Sequence, residues 1–600
     1  MKFCISNIHL IALFSACAFT FHPTKAQQVP TPVALNCDDG IKTAFQADPQ
    51  TRVLLVKRFE EGAPLSLGGI RDEKTPIAAA DLCMVKLLVG PGNPGPTGAP
   101  STSAGIGIEI WLPSHPAWNG RLHFLGGGGW AGSRQASTDA LALDSANEAG
   151  SPAEVAGREG AVSATTDTGH AFALDGLGNA AGGNGSFALL PDGAINKTLW
   201  NDFSERGIHE MVVKTKLLAR TYYGHPHRYA YWDGFSTGGR QGLKQAQAFP
   251  KDFDGILAGA PAINWTRFIT TDLNPQVVMH RDLDGRLLSA AQLLTVSNAA
   301  IRSCDVVGGQ HLGYILDPAQ CYYDPTLDHD VLCADAGGNG SAESCVSMAQ
   351  AQAFNKIWYG LTRNGNVPDP SDANGFGATL QDGQRWFGLP RGTFLGLLAG
   401  EEAFPIAADM VAIALGDTSI ATPAFINAKA NGNHHYRALS YTDLNRAFDN
   451  GVAYQAAFSH INTDNSDLSK FRDQGGKLLM YHGLADVLIP PQGSLHYYEQ
   501  VMARMGGVAA VQSFYRFYTI PGMSHAFSNG TSNASTVIPL PSHDELYRHL
   551  THWVENGRVP DRYEISAQND PKRSGVLCVY PEKPRFSGID PTRAQNYKCK

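Results

Sequence analysis

The segment Gly234-Phe235-Ser236-Thr237-Gly238-Gly239 constrains this chain more than any other. It follows an apolar, strand-like run at 227–232 and opens a helix-compatible stretch at 239–249 rich in Gln, Ala, Leu and Lys. A G-x-S-x-G between strand and helix makes a turn too tight for a Cβ on either side of the serine, and it lifts Oγ above the end of a sheet. Other short apolar runs end in glycine-rich turns in the same way. The run at 121–125 leads into Gly126-Gly127-Gly128-Gly129-Trp130, 161–166 leads into Asp167-Thr168-Gly169-His170, and a further run lies at 255–259. Strand patterns resume only at 477–482 and 512–520, with helical segments at 493–505 and 544–556 behind them. Strands that carry site loops at their ends and alternate with helices define an α/β fold.

Between these two blocks, 262–473 is rich in Asn, Asp, Gly and aromatic residues, holds four cysteines, and shows amphipathic helical segments in place of buried strands. The expected organisation is a catalytic domain built from 27–261 and 474–600, interrupted by a lid domain at 262–473. The 600 residues therefore form one core with a large insertion and not a string of independent domains. Only 17% of residues are charged and the net charge is −8 without any basic run, which argues against nucleic acid as a partner and for a small or neutral one.

Residues 1–26 read as a secretory signal peptide: Lys2, then an apolar stretch at 8–21, then Thr24 and Ala26 at the −3 and −1 positions of a cleavage site. About 14 apolar residues fall short of the ~20 that span a bilayer. The competing reading, lipoprotein processing at Cys17, has only Phe14-Ser15-Ala16-Cys17 behind it. The expected location is secreted or periplasmic, with no membrane partner. Cleavage removes Cys4 and Cys17 and leaves Cys37, Cys83, Cys304, Cys321, Cys333, Cys345, Cys578 and Cys599. An even number in an exported chain implies disulfides. Eight cysteines allow 105 pairings, and their grouping suggests 37 with 83, 304 with 321, 333 with 345, and 578 with 599. No C-x2-C pair is present to support zinc.

A serine needs an imidazole to activate it, and the imidazole needs a carboxylate to hold its tautomer. On this fold the chain order is Ser, then Asp or Glu, then His. Asp486 follows the strand at 477–482 in the turn Gly483-Leu484-Ala485, and His525 follows the strand ending at 520 in the turn Pro521-Gly522-Met523-Ser524. His525 is preferred over His460, His482, His496 and His543 because it alone combines the order with a strand-end turn, and Asp486 is preferred over Asp464 and Asp467 on the same ground. Two backbone N–H groups must meet the developing oxyanion. Thr237, directly after the serine, supplies one. The four-glycine loop supplies the other, with Gly129 as the candidate, since its run lacks the Gly-Lys-Ser/Thr ending of a phosphate-binding loop.

The set Gly-x-Ser236-Thr-Gly-Gly-Arg-Gln-Gly, Asp254-Gly-Ile-Leu-Ala-Gly-Ala-Pro261, Tyr481-His-Gly-Leu-Ala-Asp486 and Pro521-Gly-Met-Ser-His525 resembles the tannase and feruloyl esterase family, which also contains the mono(2-hydroxyethyl) terephthalate hydrolase of plastic-degrading bacteria. The resemblance runs from Cys37 to Cys599. It implies an exported α/β-hydrolase with a large lid, acting on esters of aromatic acids, with Ser236 as nucleophile, His525 as general base then acid, and Asp486 as orienting carboxylate. It also implies that Trp265, His482 and Ile489 line the acyl pocket.

Two departures from the family pattern stand out. The family has a cysteine just before the serine and another just after the histidine, joined as a disulfide; here they are Phe235 and Ala526. Packing of Phe235 against the turn at 526–527 is the expected replacement. The family also binds calcium between a cysteine pair spaced like Cys304 and Cys321. Asp305 remains, but Gly308 and Leu312 stand where further aspartates belong, and one carboxylate is too few for a hard cation. The expectation is therefore no metal and no cofactor.

The leading expectation is a secreted serine esterase for hydroxycinnamic, gallic or related benzoic acid esters, working through an acyl-enzyme. The alternatives are a terephthalate monoester hydrolase and a non-catalytic hydrolase-like binding protein. A monoester of a dicarboxylic acid needs an arginine for its free carboxylate; none lies between 392 and 435, which leaves Arg363, Arg385, Arg391 and Arg437 to reach the site through folding.

Overall fold

The computed structural model describes residues 35–68, 73–143, 148–170 and 184–600. The proposed signal peptide lies outside them. Its centre is a nine-stranded sheet. In chain order the strands are β1 Thr51–Phe59, β2 Leu82–Val89, β3 Ile106–Pro113, β4 Arg121–Leu125, β5 Val162–Thr166, β6 Tyr229–Phe235, β7 Gly255–Gly259, β8 Lys477–Gly483 and β9 Tyr515–Ile520. Their spatial order is β1-β2-β3-β5-β4-β6-β7-β8-β9. Strands β1 to β3 are antiparallel and β3 meets β5 antiparallel; from β5 through β9 every neighbour is parallel. Parallel strands need covering on both faces, and β5, β7 and all but the first residue of β4, β6 and β8 are buried accordingly.

The two faces separate by the period of two. Leu478 and Met480 of β8 join one core with Trp232 and Ile256, while Leu479 and Tyr481 join another with Tyr231 and Leu257. Helices α1 Pro152–Glu159, α2 Gly207–Tyr223 and α3 Thr237–Ala248 connect the first parallel strands. Beyond β7 the chain leaves the sheet and returns only at β8. The excursion includes α4 Trp265–Asp272, α5 Asn274–Asp282, α6 Ala290–Cys304, α7 Met348–Tyr359, α8 Pro405–Leu415 and α9 Tyr441–Ala453. Helices α10 Pro491–Met505 and α11 His543–Asn556 then flank β8 and β9.

Several elements differ from the sequence expectation, each for a physical reason. Strands β1 to β3 are not among those expected. In β2 and β3 the apolar runs are broken by Lys86 and Glu109, which face each other in register as a fully buried ion pair at 2.7 Å. Helix α8 is not amphipathic: its sequence is apolar almost all round because it is buried inside the insertion, from Ile406 to Ala414. The strand expected at 512–520 begins at Tyr515, since a short helix Val508–Gln512 precedes it.

The insertion does not sit apart from the core. One hydrophobic cluster joins Trp265, Phe268, Ile269 and much of α8 to Trp130, Phe187, Trp200 and Phe203 of the sheet-end loops, and to Ile489. All four cysteine pairs form as grouped: Cys37–Cys83, Cys304–Cys321, Cys333–Cys345 and Cys578–Cys599. In the loop closed by Cys304–Cys321 the carboxylates are engaged within the protein, Asp317 by Lys583 at 2.8 Å. Asp305 Oδ1 already accepts from His311 Nδ1 at 2.6 Å and Oδ2 from the Gly313 N–H at 2.7 Å. A Cβ on Gly308 would come within 2.5 Å of the Phe586 ring, and Leu312 is buried with Tyr314 and Ile538. No group of three or more metal-ligating side chains occurs among the described residues.

Candidate active site

Ser236 stands between the end of β6 and the first residue of α3, with φ 61° and ψ −120°. A non-glycine residue held there is strained by about 1–3 kcal/mol, and it persists only where its surroundings fix it. Here the Ser236 N–H donates to Gly259 O at 2.9 Å, and its carbonyl accepts from Arg240 N at 3.1 Å and Ala262 N at 3.0 Å. The flanking glycines are required by close approach: a Cβ on Gly234 would lie 2.3 Å from Gly238 O, and one on Gly238 would press on the Gly126 backbone at 3.0 Å. The elbow and the four-glycine loop are thus packed backbone to backbone.

That contact brings Thr237 and Gly129 together. The Thr237 hydroxyl donates to Gly129 O at 2.6 Å, and Gly129 takes the left-handed φ of 49° that a glycine tolerates. Thr237 N–H belongs to the first turn of α3, where an amide has no acceptor within its own helix. The Gly127 N–H is engaged by Gln241 Oε1 at 3.2 Å.

Asp486 and His525 come from the loops after β8 and β9. His525 Nδ1 lies 2.7 Å from Asp486 Oδ2, which leaves Nε2 as the nitrogen able to serve a hydroxyl. Asp486 is fully buried, and its Oδ1 accepts from Leu488 N at 2.9 Å and Ile489 N at 2.8 Å. Burial alone would raise its carboxyl; the imidazoles of His525 and His482 outweigh burial and hold it below the usual carboxylate range. Phe235, which replaces the family cysteine, packs edge-on against the His525 ring at 4.9 Å between centroids. Phe235 and Phe527 belong to one hydrophobic cluster, in which Tyr481 contacts both rings.

Of the residues expected in the acyl pocket, Trp265 is buried against Trp130 at 5.3 Å and Phe203 at 5.5 Å, directly beyond the glycine loop. Ile489 is buried in the same cluster. His482, also expected in the pocket, is held beside the catalytic acid. It has no exposed surface, its Nδ1 meets Ser494 Oγ at 2.8 Å, and its Nε2 lies 3.2 Å from both Asp486 Oδ2 and Ile489 O. It lies behind the carboxylate because β8 alternates sides and Ser494 of α10 closes over it.

Of the other residues weighed from sequence, the side chains of His496 and Asp467 are engaged elsewhere, by Ala378 O at 2.8 Å and by Arg504 at 3.1 Å, while His460 and Asp464 are exposed. His543 does meet a carboxylate, Asp233 at 2.7 Å, but Asp233 is buried between sheet and α11 and also bonds His123 Nε2 at 3.2 Å. His123 Nδ1 in turn lies 2.6 Å from Glu159. This buried network under the elbow was missed from sequence, since its members come from β4, α1, β6 and α11 and share no local motif. Asp272 at the end of α4 and the fully buried Arg240 of α3 were missed for the same reason.

A parallel sheet with a serine elbow after one strand and an Asp–His pair after two later ones defines an α/β-hydrolase, and the comparisons agree. The family model described as "Tannase and feruloyl esterase" matches residues 96–600. A probable feruloyl esterase of Arthroderma benhamiae is 32% identical over 500 residues, covering 82% of each chain. An uncharacterized esterase of Xanthomonas campestris is 30% identical over 526 residues, covering 83% of this chain and 82% of its own. The crystal structure of feruloyl esterase B from Aspergillus oryzae superposes with TM-score 0.70 at 25% identity, over 94% of this chain and 99% of that one. Tannin acyl hydrolase from Aspergillus niger shares the fold, with TM-score 0.68 at 22% identity over 94% and 95% of the two chains. The chain belongs to the tannase and feruloyl esterase family, and it is a carboxylic ester hydrolase.

Proposed function

We propose that this chain is an exported serine esterase that hydrolyses esters of hydroxycinnamic, gallic or related benzoic acids through an acyl-enzyme. The observation that carries this reading is the Asp486–His525 hydrogen bond at 2.7 Å, with the His525 ring against Phe235, the residue before the strained Ser236. Ser236 Oγ attacks the ester carbonyl carbon while His525 Nε2 takes its proton, and Asp486 stabilises the imidazolium. The N–H groups of Thr237 and Gly129 receive the oxyanion. Collapse breaks the bond to the leaving oxygen, which His525 protonates, releasing the alcohol. Water then attacks the acyl-Ser236 ester by the same route and releases the acid. Relatives named as feruloyl esterases and a tannin acyl hydrolase of like fold support an aromatic acyl group, and four disulfides fit an exported chain.

Of the four arginines open to a terephthalate monoester, three are engaged elsewhere and one is exposed, which favours the uncharged acyl group. Arg391 donates to Tyr323 O at 2.8 Å and stacks on Trp358, Arg437 pairs with Glu402 at 2.8 Å, Arg385 pairs with Asp449, and Arg363 is exposed. Arg267 follows Trp265 by two residues, on the opposite flank of α4, over Trp386 and Phe448. The test is Ser236→Ala beside wild type on methyl ferulate, methyl gallate and a terephthalate monoester, with burst kinetics on a p-nitrophenyl ester. Wild type should show a burst and prefer the first two; retained turnover in the variant rules out Ser236 as nucleophile.

A further inference from the structure

Helix α4 begins at Trp265, next to the glycine loop, and ends at Asp272. Residues 265, 268, 269 and 272 recur at helical spacing and share one face. Three of them, Trp265, Phe268 and Ile269, belong to the apolar cluster that reaches from Trp130 beyond the oxyanion loop to Ile489 beside the catalytic acid. The fourth is a carboxyl. Asp272 is only 2% exposed, and its Oδ2 is wholly buried without a hydrogen-bond partner. At the other end of the same face, Trp265 Nε1 is a buried donor without a partner. Seven residues of helix separate the two by ~10 Å, a span comparable to an aromatic acyl group.

An unsatisfied buried carboxyl is costly, and native chains keep one only where something repays it. The buried carboxyls of Asp202, Asp305 and Asp409 each accept at least one hydrogen bond, whereas none reaches the Asp272 carboxyl among the described residues. We propose that Asp272 determines specificity by hydrogen-bonding a hydroxyl on the ring of the aromatic acyl group. This inference rests on the aromatic esterase reading above and names the feature of the substrate that the site selects. Burial drives the Asp272 carboxyl well above its ordinary range, and the neighbouring Asp486 charge pushes the same way. A neutral acid can both donate to and accept from a phenol, and a carboxylate on the acyl ring would gain nothing from it.

A site built around a buried polar group discriminates strongly against an analogue that leaves the group unpaired. The test compares kcat/KM for methyl 4-hydroxycinnamate and methyl cinnamate in wild type, Asp272→Leu and Asp272→Asn. Wild type should favour the hydroxylated ester by about tenfold to a hundredfold. Asp272→Leu should bring that ratio close to one, and Asp272→Asn, whose amide still bonds a phenol, should keep part of it. The asparagine variant carries the test if the leucine variant does not fold. Equal losses on both esters, or an unmoved ratio, overturn the inference while leaving the esterase reading intact. No turnover of either ester by wild type overturns the esterase reading, and this inference with it.

Discussion

Replacing His482 by leucine separates a role behind the acid from a role in the acyl pocket. The Ser494 hydroxyl, 2.8 Å from Nδ1, can hold the proton of His482 on Nε2, from which it reaches Asp486 Oδ2 at 3.2 Å. That oxygen also receives His525 Nδ1 at 2.7 Å, so two imidazoles share one carboxylate oxygen. A hydrogen bond to a charged group contributes about 1.5–3 kcal/mol, and the longer separation puts this one at the low end. Losing it withdraws at most about 1.5 kcal/mol of support from the carboxylate and leaves the shorter His525–Asp486 bond in place. At 1.36 kcal/mol per tenfold in rate, kcat should therefore fall by up to about tenfold, alike for small and bulky acyl groups, with KM unchanged. Orphaning Ser494 Oγ should also lower stability by about 1–3 kcal/mol. The assay is kcat and KM for p-nitrophenyl esters of a small and a bulky aromatic acid, with thermal melts of the same samples. An unchanged kcat together with a KM that rises only for bulky aromatic acyl groups would refute this reasoning and return His482 to the pocket.

Two further outcomes follow from other parts of the molecule. Burial disfavours the charged form of His123, but Glu159 and Asp233 outweigh it and raise the imidazole to about 9 from an ordinary 6.5. Its contribution to stability is then complete below about pH 6.5 and lost as pH rises through about 9. Melting temperature should fall across that window and fall less in His123→Gln; parallel curves for the two proteins would contradict the assignment. Because both oxygens of Asp305 already accept hydrogen bonds, from His311 and Gly313, melting in the presence of chelator should match melting without it, and a marked drop would reveal a bound cation.

Much of the architecture was legible because its signals are local. An elbow needs its glycines within two residues of the serine, and a strand end followed by a tight turn marks where a loop can carry a carboxylate or an imidazole. Asp486 and His525 could be placed from such turns and from chain order, without knowing what surrounds them. The grouping of the cysteines was likewise readable, since each pair closes a short loop, the longest spanning 46 residues. Less was readable where identity and role part company. Lys86 and Glu109 look like surface residues until pairing across two strands buries both. His482 sits in a family motif beside the acid, and only the side of β8 it occupies shows that it serves the carboxylate.

The sequence by itself determined the strand–turn–helix around Ser236, the order in which acid and base follow it, and the break in the sheet between β7 and β8, because these depend on backbone sterics and periodicity within a few residues. The tertiary structure alone decided which polar groups are satisfied. Arg391 ended on main-chain carbonyls, Asp305 on a histidine and an amide, Phe235 on the ring of His525, and Asp272 on nothing. Burial and hydrogen-bond partners are properties of elements brought together from distant parts of the chain, and no local pattern encodes them.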